Sequence, residues 1–258
     1  MEESFENYEV EQSKRIVKTF KLISLIIYII EGGLIVLFRL NIWTSQKLLI
    51  LLLVLLPWIR YIYALRFSNI AYWNEPNKRR DDYDERKTKE WLSTHISFFD
   101  SGLFVLQGLV FLCVFKTLRI YAQVHKGNMV VNLLFVAVFL VTMIVGFVRV
   151  GRGSGDRVLQ LIYYGFIMLF VVGLTVGAIC YSVSTPVAYE KCYYVSKTCS
   201  SLSKGGRSYY IDVRLQDGSV YNSYVPIDMY SNAQYADLYL CREENPFGIE
   251  YWHVCVGK

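Results

Sequence analysis

Glu31 stands in the middle of the apolar run LIIYIIEGGLIVLF, residues 25–38. An ionised carboxyl at the centre of a bilayer costs at least about 2.5 kcal/mol on insertion scales, and such groups usually face a bundle interior and find a partner. Arg60, in LLPWIRYIY, is the matching cation. The loop between the two runs is short, so they should form antiparallel neighbours. Counting inward from each end places Arg60 about one turn, roughly 6 Å, closer to the cytoplasm than Glu31. An arginine side chain spans that offset. One chemistry is an intramembrane ion pair that locks two helices, with Gly32 and Gly33 permitting close approach. Another is a protonatable or pore-lining acid in a transporter or channel. A local helix break, or a lipid-facing acid that stays protonated, is the third. Pro57, one turn before Arg60, is placed to kink the second helix.

The six cysteines divide by neighbourhood. Cys113 and Cys180 lie in apolar runs and read as small buried hydrophobes. Cys192, Cys199, Cys241 and Cys255 all follow the last apolar run, and an even number in a small exported segment reads as two disulfides. Three pairings are open; we expect Cys192–Cys199 and Cys241–Cys255, each closing a local loop. A zinc site using these cysteines and His253 is the rival, but it lacks the close C-x₂₋₄-C spacing of structural zinc sites.

A third constellation is GSGD, Gly153–Asp156. It resembles the Gly-x-Gly-Asp signature of intramembrane aspartyl proteases and prepilin peptidases. That resemblance implies Asp156 as one catalytic aspartate and Asp100 as its partner, since such a pair must share a proton. The Pro-Ala-Leu element of the presenilin-type enzymes is missing, and the span count is below that of either family. Glycine and aspartate also serve a plain tight turn.

The elements that would position these residues follow from composition. Of 258 residues 54% are hydrophobic and 19% charged, against roughly 25% charged in soluble domains. The excess is gathered into blocks near the 17 to 25 residues a span needs: Leu22–Phe38, Leu48–Leu65, a third ending at Phe115, Met129–Val148 and Val158–Val183. The third reaches full length only by including Asp100, so a re-entrant or interfacial segment is its alternative. No cleavable signal peptide is expected from the acidic, polar start MEESFENYEVEQSKR.

With a cytoplasmic N-terminus, the inner flanks collect Lys14, Arg15, Lys18, Lys21, the loop NKRRDDYDERKTKE, Arg149, Arg152 and Arg157. The outer loops hold Arg39, Lys47, Lys116, Arg119 and Lys126. Positive charge sets topology when counted over short loops, so the chain starts inside and five crossings put its end outside. The division expected is a polar, frayed tail at 1–21, a five-helix region at 22–183 and a small β-domain at 184–258. The charged cytoplasmic loop at 66–95 should carry a short surface helix, with Trp73 and Trp91 as interfacial anchors.

After residue 183 continuous apolar runs give way to alternation. SYYIDVRL and SVYNSYVPI flank Asp217-Gly218, a strong hairpin signal. ADLYLCRE and IEYWHVCV flank ENPFG, and KCYYVSKTC supplies a first strand. Four or five antiparallel strands over about 70 residues are marginal on core burial alone, which gives disulfides a purpose. Tyr209, Tyr210, Asp217-Gly218, Val225, Tyr230 and Phe247-Gly248-Ile249 before Tyr251 and Trp252 resemble a C-terminal β-module of uncharacterised bacterial multi-pass membrane proteins. The resemblance covers under a third of the chain, lacks the usual Gly-Asp before the penultimate strand, and implies a bacterial envelope protein without a known activity.

H-E-x-x-H, the P-loop and the dinucleotide fingerprint are all missing from the sequence, and no cofactor or metal is expected. The net charge of +5 is accounted for by the flanks of the spans and gives no argument for nucleic acid. The leading expectation is a non-enzymatic multi-pass protein of a bacterial plasma membrane. Its partners would be the lipid bilayer and another envelope protein or a second copy. A transporter built on Glu31 and Arg60 and a protease using Asp100 and Asp156 are the alternatives.

Overall fold

Acids before bases over residues 2–21 suit the dipole of a starting helix, and in the computed structural model helix α1 runs unbroken from Glu2 to Leu40. The structure describes residues 2–40, 46–67, 71–72, 93–97, 101–150, 157–201 and 207–257. The first twenty residues are therefore no frayed tail. Glu11 and Arg15 pair one turn apart, and Val17 and Phe20 are buried against Ala64, Ile96, Tyr164 and Met168. Burial of that apolar face stabilises the helix beyond the expected span.

The other helices are α2 (Gln46–Arg66), α3 (Ser101–Tyr121), α4 (Asn128–Val150), α5 (Arg157–Ser182) and the short α6 (Ile227–Asn232). Among the described residues four helical segments are long and apolar enough to cross a membrane: Val10–Phe38, Gln46–Arg66, Asn128–Val148 and Tyr164–Ser182. Helix α3 is continuous over 21 residues and extends past Phe115 through Lys116 and Arg119. The surface helix expected near 81–92, with Trp73 and Trp91, falls outside the described residues. On either side of that gap, β1 (Ala71–Tyr72) and β2 (Ile96–Ser97) form a parallel bridge.

The chain divides into two units, residues 1–112 with 136–175 and residues 113–135 with 176–258. The second is an antiparallel β half-barrel of β3 (Val124–Lys126), β4 (Thr185–Ser201), β5 (Arg207–Arg214), β6 (Val220–Tyr224), β7 (Leu238–Glu244) and β8 (Glu250–Val256). The strand order is β3-β8-β7-β4-β5-β6. Strand β4 serves two partners: Thr185–Cys192 pairs with β7 and Tyr193–Ser201 with β5. Register shifts at Pro186/Ala188 and Tyr194/Ser196 mark where it can bend, as bulges do.

Both expected hairpins form. Gly218 and Gly248 take φ of +84° and +73° in their turns, a conformation cheap only for glycine. Alternation puts Cys192, Ile211, Val213, Leu238, Leu240 and Val254 on the inner face. Tyr189, Lys191 and Tyr193 fall on the outer face of β4 and are exposed.

Candidate functional site

The expected site residues fall into three groups. Glu31 has 0% of its surface exposed and Arg60 4%. Arg60 Nη1 donates to the Tyr28 hydroxyl at 3.0 Å, and its guanidinium lies 4.9 Å from the Phe20 ring centre. Tyr28 is three residues before Glu31, on the same helix face. Among the described residues an added Cβ on Gly32 or Gly33 would meet nothing within 4 Å, so neither serves a close approach there. The close approach is at Gly146 of α4, where a Cβ would come within 2.4 Å of the Tyr164 ring.

Around this cluster the helical unit ties its polar side chains to one another. The Tyr61 and Tyr164 hydroxyls bond each other, and Tyr164 also donates to the Thr142 carbonyl at 2.8 Å. Trp58 Nε1 donates to Thr175 Oγ1 at 2.9 Å.

Cys241 and Cys255 form a disulfide, with a Cα separation of 6.5 Å. Cys241 faces His253 across the β7–β8 ladder, so the bond runs diagonally within one hairpin. A disulfide uses both sulfurs, and the zinc alternative loses two of its donors. The expected Cys192–Cys199 bond does not form: Cys192 is buried and free, Cys199 exposed and free. Both lie on β4, and seven residues of strand put them roughly 23 Å apart, far beyond the reach of a disulfide. Burial first, and the Glu190 charge second, push the Cys192 thiol up to about 11. Asp100 and Asp156 lie outside the described residues.

What the sequence does not announce is the segment before α4. Gln123 reaches both ends of the half-barrel. Its backbone carbonyl accepts the Trp252 amide of β8 at 2.9 Å. Its Nε2 donates to the Tyr224 carbonyl of β6 at 2.9 Å and to Ser223 Oγ at 3.2 Å, while Oε1 accepts the Tyr224 amide at 3.3 Å. One side-chain amide thus stands in for a strand partner along β6. Arg119 donates to Tyr210 and Ser208 at 2.8 and 3.2 Å and lies over the Tyr224 ring. His125 stacks on Trp252 at 3.4 Å, and Arg242 lies 4.4 Å from the centre of the same indole ring. Burial holds the His125 imidazole below its ordinary value, with Lys126 and Arg242 acting in the same direction against Glu250. The end of α5 contributes as well: Asn245, whose Oδ1 accepts the Phe247 and Ile249 amides, donates to the Cys180 carbonyl at 3.2 Å.

These contacts make a pinned β half-barrel and a helical cluster of buried polar groups. No protein-family model, curated protein or solved structure matches the chain.

Proposed function

We propose that this chain is a multi-pass protein of a bacterial plasma membrane. It crosses the lipid five times from a cytoplasmic N-terminus and holds its β half-barrel on the outer side, where it binds or assembles with another envelope protein or a second copy. The observation that carries the reading is the pairing of β3 with β8. One sheet thus joins the segment between α3 and α4 to the segment after α5, which supports an even number of crossings for α4 and α5 together. With α3 as a fifth span, the charge bias places that sheet outside. Arg119 and Lys126, two of the few outer cations, are engaged by Tyr210 and Glu250 of the half-barrel. The bacterial setting rests on the likeness of the tail to bacterial β-modules. The binding role is supported by the exposed outer wall of β4, where Tyr189 and Tyr193 stand with more than half their surface open.

Cys199 is the natural reporter, being free and exposed. A membrane-impermeant maleimide should label it in intact cells without reductant, and should label Cys241 and Cys255 only after reduction. Labelling of Cys199 that requires permeabilisation would overturn the orientation. A photo-crosslinking amino acid at Tyr193 tests the role: an adduct of defined mass supports assembly, and none under native expression removes it.

The complete burial of Glu31 favours transport as a second reading. Loss of solute or ion flux in folded Glu31→Gln protein would support it, and unchanged flux would end it.

A further inference from the structure

The helical unit holds a half-open cavity of about 380 Å³. Its walls come from α1, α2, α3 and α5, with Phe20, Leu53, Trp58, Phe111 and Phe170 among the lining side chains. The polar groups in or beside the wall are engaged with one another. Trp58 donates to Thr175, Thr175 donates to the Val171 carbonyl at 2.7 Å, Arg60 donates to Tyr28, and Tyr61 bonds Tyr164. A polar ligand would have to compete with these bonds.

Apolar cavities stay dry, and an empty one deprives every wall atom of dispersion contacts on that side. We propose that a hydrocarbon chain fills the cavity, supplied as the acyl chain of a membrane lipid or as a free fatty acid. At roughly 30 Å³ per small group, the space holds about a dozen methylenes, a large part of one chain. Gly108 belongs to the same wall, and a Cβ there would meet nothing within 4 Å. Gly108 is exposed, so a larger residue at 108 has room at the edge of the cavity.

The test uses the full chain in liposomes carrying a phospholipid with a diazirine in its acyl chain, and in a second arm a free fatty acid with the same group. After irradiation, adducts are mapped by mass spectrometry. The inference expects labelling at Met168, which is 5% exposed, and at Phe111, beyond that at the outward-facing Ile144 and Phe147 of α4. Gly108→Phe should abolish the first set and leave the second unchanged. Labelling in the phospholipid arm alone identifies a bound lipid; labelling in the fatty-acid arm alone identifies a free acid. Equal labelling of both sets with no response to Gly108→Phe would mean surrounding lipid only and would overturn the inference, as would an unlabelled Met168 in both arms. Should Gly108→Phe fail to fold, Leu174→Trp fills the same space from α5 and is read the same way.

Discussion

Glu31 and Gln123 are both polar side chains in partly apolar surroundings, and the two units hold them differently. Glu31 sits fully buried on a helix whose backbone already satisfies itself. Gln123 bonds main-chain groups of β6 and β8 that would otherwise lie on open strand edges. A helix in hydrocarbon needs nothing from its neighbours to close its hydrogen bonds, which leaves room for gaps such as the 380 Å³ cavity. A sheet must find a partner for each edge, and here a residue 101 positions away supplies it.

Removing one member of a buried charged cluster should give the largest effect. Arg60→Met leaves Glu31 buried, and we expect a loss of about 3–5 kcal/mol in stability, read as lost expression and early thermal unfolding in detergent. Adding Glu31→Gln should restore most of it if the two residues form the ion pair expected from the sequence; a double variant as weak as the single would break the pairing. Gln123→Ala comes next, at about 2–4 kcal/mol, because it strands main-chain groups of Tyr224. Its damage should appear in hydrogen exchange across β6 and spare the helical unit. Exchange that rises equally in both units would erase the contrast drawn above.

Two glycines sharpen the view of the helices. Gly146→Ala should cost about 1–3 kcal/mol, since the new methyl meets the Tyr164 ring. Gly33→Ala meets nothing and should gain up to about 1 kcal/mol from helix propensity. A reversed order would place the close helix contact back at Gly32 and Gly33. Smallest is the pH effect of Asp212, whose carboxyl is held low by hydrogen bonds from Asn222 first and Ser196 second. A lowered folded value stabilises above the unfolded pKa, about 4, and the gain is lost as pH falls through the folded value. The group is exposed and screened, so Asn222→Ala should remove less than about 0.5 kcal/mol of that acid dependence.

How much could be read beforehand depended on how local the signal was. Asp217-Gly218 and ENPFG are turn signals complete within five residues, and both hairpins form where they point. The apolar blocks fix α2, α4 and α5 to within a few residues, because periodic apolar length is also a local property. Cys241–Cys255 was legible as two cysteines flanking one hairpin. Cys192–Cys199 was misjudged because the same stretch was read as a strand, and an extended strand keeps its own ends apart. Strand β3 is three residues, VHK, with no period to detect, and its partner lies more than 120 positions on. Gln123 carries no motif; only the fold reveals what its amide replaces. The buried state of Glu31 followed from its neighbours, whereas the role given to Gly32 and Gly33 required knowing which face meets another helix.

The pairing of Lys126 with Glu250 sets a timetable for synthesis. A ribosome finishes β3 long before it makes β8, and two long apolar helices are made in the interval. Until Glu250–Val256 emerges, β3 waits with no strand to accept it. A nascent chain stopped before residue 250 should therefore expose an unpaired edge to proteases and chaperones, even with every helix in place.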